Sequence, residues 1–352
     1  MGTIVSIANQ KGGVGKTTTT ISLGAALAEL GQQILLVDFD PQGALSVGLG
    51  INSIELEQTV YNLLLDRSTS FEDVVVKTRI DGVHLLPANI DLSAAEVVLV
   101  SEVAREQALK RVLADARDAY DFVLIDCPPS LGLLTINALT ASDRVIIPLE
   151  CEFFALRGMA LLVDTIQKVV DRLNPELEIQ GVVATMYDGR TLHAREVLAR
   201  VRDAFGARLF SSLVPRTVRF AEAPVVGEPI LTYAGDSKGA AAYRGLAREV
   251  LGIVDHEASD LAGSGRALPD DGHADAGDDG AAGAGAEQGS LIEPFGAAES
   301  APAEPTTSEN IQGDPSIYRQ RDEDTRPQVG KWTDPSRGEG DVLLHPGGTA
   351  GA

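Results

Sequence analysis

Thr3-Ile4-Val5-Ser6-Ile7-Ala8-Asn9-Gln10-Lys11-Gly12-Gly13-Val14-Gly15-Lys16-Thr17-Thr18 is the stretch on which the fold turns. A short apolar run leads into a glycine-rich loop, and the loop opens a helical pattern from Lys16 to Leu30 that Gly31 stops. Glycines let successive backbone N–H groups turn inward around a phosphate, and the start of the helix adds its positive dipole end. Lys16 would neutralise the β- and γ-phosphates of a nucleotide, and Thr17 would offer its hydroxyl to Mg2+. Strand, loop and helix in this order are the context that such a loop requires. Lys11, Gly12, Gly13, Val14, Gly15, Lys16, Thr17 and Thr18 are therefore the expected nucleotide-binding residues.

Outward from the loop, short apolar runs alternate with helical periods. Ile34–Val37 ends at Asp38, Val83–Leu86 and Phe122–Ile125 repeat that form, and Arg144–Pro148 follows. Ile179–Ala184 and Leu209–Val214 are further strand candidates. Helical segments are expected at roughly 92–118, 153–173, 191–206 and 237–251. Strands of four to six residues between helices imply an α/β fold, a mostly parallel twisted sheet covered by helices on both faces. Acids and glycines fall at the ends of these strands, where open α/β sheets place ligands.

Composition divides the chain near Val254. The 352 residues carry a net charge of −22. Residues 255–352 hold 20 acids, 6 bases and 24 of the 53 glycines and prolines. With so little apolar surface to bury, this segment is expected to be a disordered acidic tail. Its apolar islands, such as Leu291–Phe295 and Val342–Leu344, leave room for a docking motif towards a protein partner. Residues 1–254 suffice for one large α/β domain. Two cysteines, Cys127 and Cys151, exclude a disulfide framework and a four-thiol zinc site. No apolar run approaches the roughly 20 residues that cross a bilayer, and the N-terminus is not signal-like. The expected location is cytoplasmic, without membrane attachment.

Hydrolysis needs a group to orient or deprotonate water, and Mg2+ needs carboxylates behind its own waters. Asp38 and Asp40, two apart at the end of a strand, fall on the same side by alternation. Asp38 would support the metal and Lys16. Phe122-Val123-Leu124-Ile125-Asp126 is four apolar residues and an acid, and Asp126 would hold a Mg2+-bound water. Cys127-Pro128-Pro129-Ser130, stiffened by its prolines, would move as a switch.

The common phosphate loop has glycine where Gln10 stands, and it lacks the early Lys11. With that departure, Lys11–Thr18 resembles the deviant Walker A loop of the ParA/MinD class of P-loop ATPases. Asp40-Pro41-Gln42, Thr185-Met186-Tyr187-Asp188-Gly189-Arg190-Thr191 and Val214–Pro224 resemble the ParA-type partition branch. Ala44 and Thr217 depart from it, each where that branch often has asparagine. The resemblance covers residues 2–252. It implies ATP and Mg2+ as cofactors and a homodimer with ATP sandwiched between subunits. Lys11 would reach the partner's nucleotide, Asp40 would act on the attacking water, and Pro215 would lie near the adenine with Arg216, for which a DNA contact is the alternative. A ParB-type centromere-binding partner would stimulate slow hydrolysis. Met1 lies two residues before the first strand, so no N-terminal operator-binding extension is expected. The alternative reading is a MinD-like or polar-positioning ATPase acting on a membrane or a protein scaffold.

Charge distribution favours a nucleic-acid surface. Residues 186–220 contain seven arginines and three acids, net +4, while the rest of 1–254 carries 16 bases against 28 acids. Such asymmetry is what a local phosphate-binding surface requires. No base-reading motif appears, so contacts to double-stranded DNA would be non-specific and the protein nucleoid-associated. By resemblance, Arg190, Arg219 and Lys238 would make them.

Overall fold

The computed structural model describes residues 1–152 and 155–253. The expectations for the acidic tail and its apolar islands lie outside the described residues, and the boundary near Val254 falls at their edge. In chain order the first elements are β1 (Thr3–Ile7), α1 (Lys16–Glu29), β2 (Ile34–Asp38), α2 (Ala44–Gly48), α3 (Val60–Leu65) and α4 (Phe71–Val74). Next come β3 (Val76–Lys77), β4 (Val83–Leu86), α5 (Leu92–Leu99), α6 (Ala108–Val112), α7 (Ala116–Ala119), β5 (Phe122–Asp126) and α8 (Leu133–Ala141). The last are β6 (Arg144–Glu150), α9 (Ala155–Arg172), β7 (Glu178–Thr185), α10 (Leu192–Phe205), α11 (Arg219–Glu222), α12 (Ile230–Tyr233) and α13 (Lys238–Val250).

The seven strands form one sheet in the order β3-β4-β2-β5-β1-β6-β7. All pairs are parallel except β3 with β4. Period-two alternation along the buried strands feeds two cores, one on each face. Ile4, Leu35, Val37, Val123, Ile125, Val145 and Ile147 meet residues of α5, α6, α8, α9 and α10. Val5, Ile7, Ile34, Leu36, Leu124 and Ile146 meet residues of α1, α12 and α13. In α9, Ala155, Met159, Leu162, Ile166 and Val169 are buried, a spacing that lays one stripe of an amphipathic helix on the sheet.

Two expectations need correction. The segment 92–118 is not one helix. It breaks into α5, a 3-10 turn at Arg105–Gln107, α6 and α7, and Ala104 takes a left-handed φ of 54° that no helix interior admits. Leu209–Val214 is not a strand either. The segment meets the sheet edge only through an isolated bridge, Leu209 with Val182, and a second bridge joins Pro215 to Tyr187 just beyond it. Its approach is nevertheless close. A Cβ on Gly181 of β7 would lie 2.5 Å from Cε2 of Phe210 and 2.7 Å from the carbonyl oxygen of Arg208. Replacing Gly181 by alanine is therefore expected to cost about 1–3 kcal/mol in urea unfolding. An unchanged midpoint would contradict this contact.

Candidate functional site

Topology alone assembles the site. β1 lies between β5 and β6, so the loop leaving β1 is flanked by the ends of both neighbours, and β2 borders β5 on the far side. The residues at those ends are Asp126, Glu150 and Asp38. In register, Asp126 faces Ile7 on one side and Asp38 on the other.

The loop is held open by its own backbone. Gly13 and Gly15 take φ of 74° and 87°, which only glycine adopts without strain. Gly15 stands at the N-cap of α1, and no side chain caps that helix end. The N–H groups of the first turn are thus left to an anion. Asn9 braces the loop, donating from Nδ2 to the carbonyl of Pro148 at 2.7 Å and accepting the Lys11 N–H at 3.0 Å. Thr185 donates to the Val14 carbonyl at 2.7 Å. Neither bracing role is legible in the sequence, although Thr185 opens one of the quoted motifs, because both partners are named only once the strands are ordered.

Lys16 is buried, and its ammonium meets the Lys11 carbonyl at 3.3 Å. Burial depresses its pKa, opposed by the nearby Asp126. Such a cation is poised for phosphate. Thr17 donates its hydroxyl to Asp126 Oδ2 at 2.7 Å. Asp126 and Asp38 are both fully buried. Burial first, and then the neighbouring Asp38, pushes Asp126 up to about 8. Burial likewise lifts Asp38 to about 7, against the N–H and hydroxyl of Ser46 at 2.9 and 2.7 Å. The bonds of Asp38 thus run to α2, another element that the sequence did not disclose, and not to Lys16. Asp40 is partly exposed and accepts the Gln42 N–H at 3.0 Å, an Asx turn at the rim of the loop.

On the β6 side, Lys11 bonds Glu150 Oε2 at 3.0 Å and also pairs with Glu152. Burial pulls the Lys11 ammonium down, but its bonds to Glu152 and Glu150 outweigh that and leave it raised. Arg216, beside Pro215, reaches the other oxygen of Glu150 at 2.6 Å. Arg216 and Lys11 of the glycine-rich loop thus share one carboxylate.

The basic segment is exposed, yet its arginines are not idle. Arg190 grips Asp188 with two bonds, at 2.8 and 2.7 Å, and holds that carboxyl down at about 2. Arg219 meets Glu222 at 3.2 Å and lies 5.9 Å over the ring of Tyr233. Exposed Lys238 begins α13, whose Gly239 abuts the ring of Phe220, so Arg219 and Lys238 share a neighbourhood. The Tyr187–Pro215 bridge brings Arg190 towards Arg216.

Among the described residues no three His, Cys, Asp or Glu side chains form a metal cage, and no helix is long and apolar enough to cross a membrane. A cation here fits the hard, substrate-assisted kind, bound by a hydroxyl, a carboxylate and phosphate oxygens. Burial raises the Cys127 and Cys151 thiols to about 12 and about 11, so neither is a nucleophile.

A family model described as an AAA domain matches residues 2–179. The sporulation initiation inhibitor protein Soj of Bacillus subtilis is 48% identical over 250 residues, which is 71% of this chain and 98% of Soj. The chromosome partitioning protein ParA of Caulobacter vibrioides is 48% identical over 250 residues, 70% of this chain and 93% of that protein. Among solved structures, a Mycobacterium smegmatis protein described as cobyrinic acid a,c-diamide synthase, with bound ATP analog and magnesium, is 42% identical. It superposes with a TM-score of 0.63 over 76% of this chain and 99% of its own.

The buried acid pair generates a pH dependence. Between about pH 4 and pH 8 the folded, metal-free site keeps protons that the unfolded chain has released, so stability falls as the pH rises. Asp126→Asn removes that penalty and keeps the bond from Thr17. Its unfolding free energy in urea is expected to exceed that of the parent by a margin that widens from pH 5.5 to 7.5, by at most about 1.4 kcal/mol per pH unit. A margin that does not change with pH would contradict the protonated pair.

Proposed function

The chain belongs to the ParA-type family of chromosome-partitioning P-loop ATPases, and on that premise we propose that its ATPase cycle switches a dimer on and off DNA. The enzyme hydrolyses ATP to ADP and phosphate and uses Mg2+. One observation carries the reading: an uncapped helix end in a glycine cradle, with Thr17 and Asp126 joined at 2.7 Å beneath it and Asp40 open at the rim.

In this reading the N–H groups of Gly12 to Thr18 bind the phosphates, and Lys16 neutralises them. Thr17 and, through water, Asp126 would hold Mg2+, whose bound charge offsets that of the phosphates. Asp38 fixes α2 and the start of the Asp40 turn from behind. Asp40 orients the attacking water and takes up its proton. Pro215 and Arg216 border the base. Lys11 extends to the nucleotide of a second copy. Dimerisation joins two basic surfaces, and Arg190, Arg219 and Lys238 contact the DNA backbone without reading sequence. A ParB-type protein completes the site, hydrolysis follows, and the ADP form lets go.

Two substitutions separate chemistry from binding. Asp40→Ala is expected to retain ATP-dependent dimerisation and to lose at least about a hundredfold of the partner-stimulated hydrolysis. Parental turnover in this variant would contradict the assignment. If about four of the six DNA contacts per dimer each neutralise a phosphate, Arg219 of both protomers among them, log affinity for DNA falls against log salt with a slope near −3.6. Arg219→Ala, which removes two contacts per dimer, is expected to bring that slope to about −1.8 with hydrolysis retained. An unchanged slope would remove Arg219 from the interface.

A further inference from the structure

Glu150 was not among the residues that the sequence singled out, yet two cations from distant parts of the chain converge on it. Lys11 Nζ lies 3.0 Å from Oε2 and Arg216 Nη2 lies 2.6 Å from Oε1, so each carboxylate oxygen has its own partner. The acid is the fixed member. It ends β6, and its side chain is 11% exposed, against 36% for Lys11 and 65% for Arg216. Lys11 has a second acid in Glu152, which stands in solvent at 53% exposure. Beside them, Lys11 and Glu150 line a cavity of about 190 Å³ together with Val14 and Leu149, so the lysine stem is not wedged in place.

We propose that Glu150, assisted by Glu152, is a tether that holds Lys11 within its own protomer, and that closing the ATP dimer exchanges Lys11 from these carboxylates to the partner's phosphates. The inference rests on the reading above, in which Lys11 crosses between copies. The arrangement suits such an exchange. A buried carboxylate stripped of its only cation is strongly destabilising, but Glu150 keeps Arg216 when Lys11 departs. Glu152 is left to water, which solvates it at little cost. The tether therefore sets the threshold that a phosphate chain must overcome, without leaving a buried unpaired charge behind. Glu150 is a positioning residue in this scheme, since it acts on the nucleotide only through Lys11 and Arg216.

The test is dimerisation of the full chain with Mg2+ and a non-hydrolysable ATP analogue, followed by sedimentation in the parent, Glu150→Gln and Glu152→Gln. A half-exposed ion pair is worth up to about fivefold, and two are released per dimer. Glu150→Gln is therefore expected to lower the protein concentration for half-dimerisation by about 5- to 25-fold, and Glu152→Gln to lower it as well. A purely structural Glu150 would weaken dimerisation instead. An unchanged or weakened Glu150→Gln dimer overturns the tether. If that variant does not fold, Glu152→Gln decides, tightening in support and an unchanged dimer against. A parent that stays monomeric with the analogue would overturn the dimer reading itself, which the other outcomes leave standing.

Discussion

Everything at the nucleotide end of this sheet depends on one apposition: two fully buried carboxylates on adjacent parallel strands, with a threonine hydroxyl bonded to one of them. Burial raises both carboxyls, Asp38 to about 7 and Asp126, with Asp38 beside it, to about 8. Thr17 is held by Asp126 at the mouth of α1. The sheet order enforces this, because β5 sits between β1 and β2 and so sets its terminal acid between the loop and Asp38. The bond from Ser46 then carries the constraint into α2, the helix that follows the Asp40 turn.

Four of the cations proposed to bind ligands are already engaged within the chain. Lys11 and Arg216 share Glu150, Arg190 holds Asp188, and Arg219 is shared by Glu222 and the ring of Tyr233. Exposed pairs of this kind contribute little to stability, about 1 kcal/mol at most, so an arriving phosphate can replace the carboxylate readily.

Much of the architecture was legible in the sequence. The strands ending at Asp38 and Asp126 are four apolar residues closed by an acid, and the helices of α9, α10 and α13 follow from a clear apolar period. The phosphate loop was readable because glycine and lysine there serve backbone geometry and charge rather than packing. What escaped was short or indirect. α2, α3 and α4 have four to six residues, too few for a period to declare itself. The break at Ala104 follows Val100-Ser101-Glu102-Val103, whose apolar spacing still reads as helix, and shows only in the left-handed φ of Ala104. Glu150, Ser46, Asn9 and Thr185 matter through partners 8 to 171 positions away, and only the order of strands reveals those pairings.

The central claim is that nucleotide state governs a non-specific DNA surface on this molecule. The most direct measurement is the affinity of the full chain for unrelated duplexes with ATP, with ADP and without nucleotide, at 50 and 200 mM salt. The account requires binding with ATP and Mg2+ only, indifferent to sequence, and weakened about 150-fold by the higher salt if about four phosphates are neutralised. Equal affinity in all three nucleotide states, or no binding in any, would contradict it.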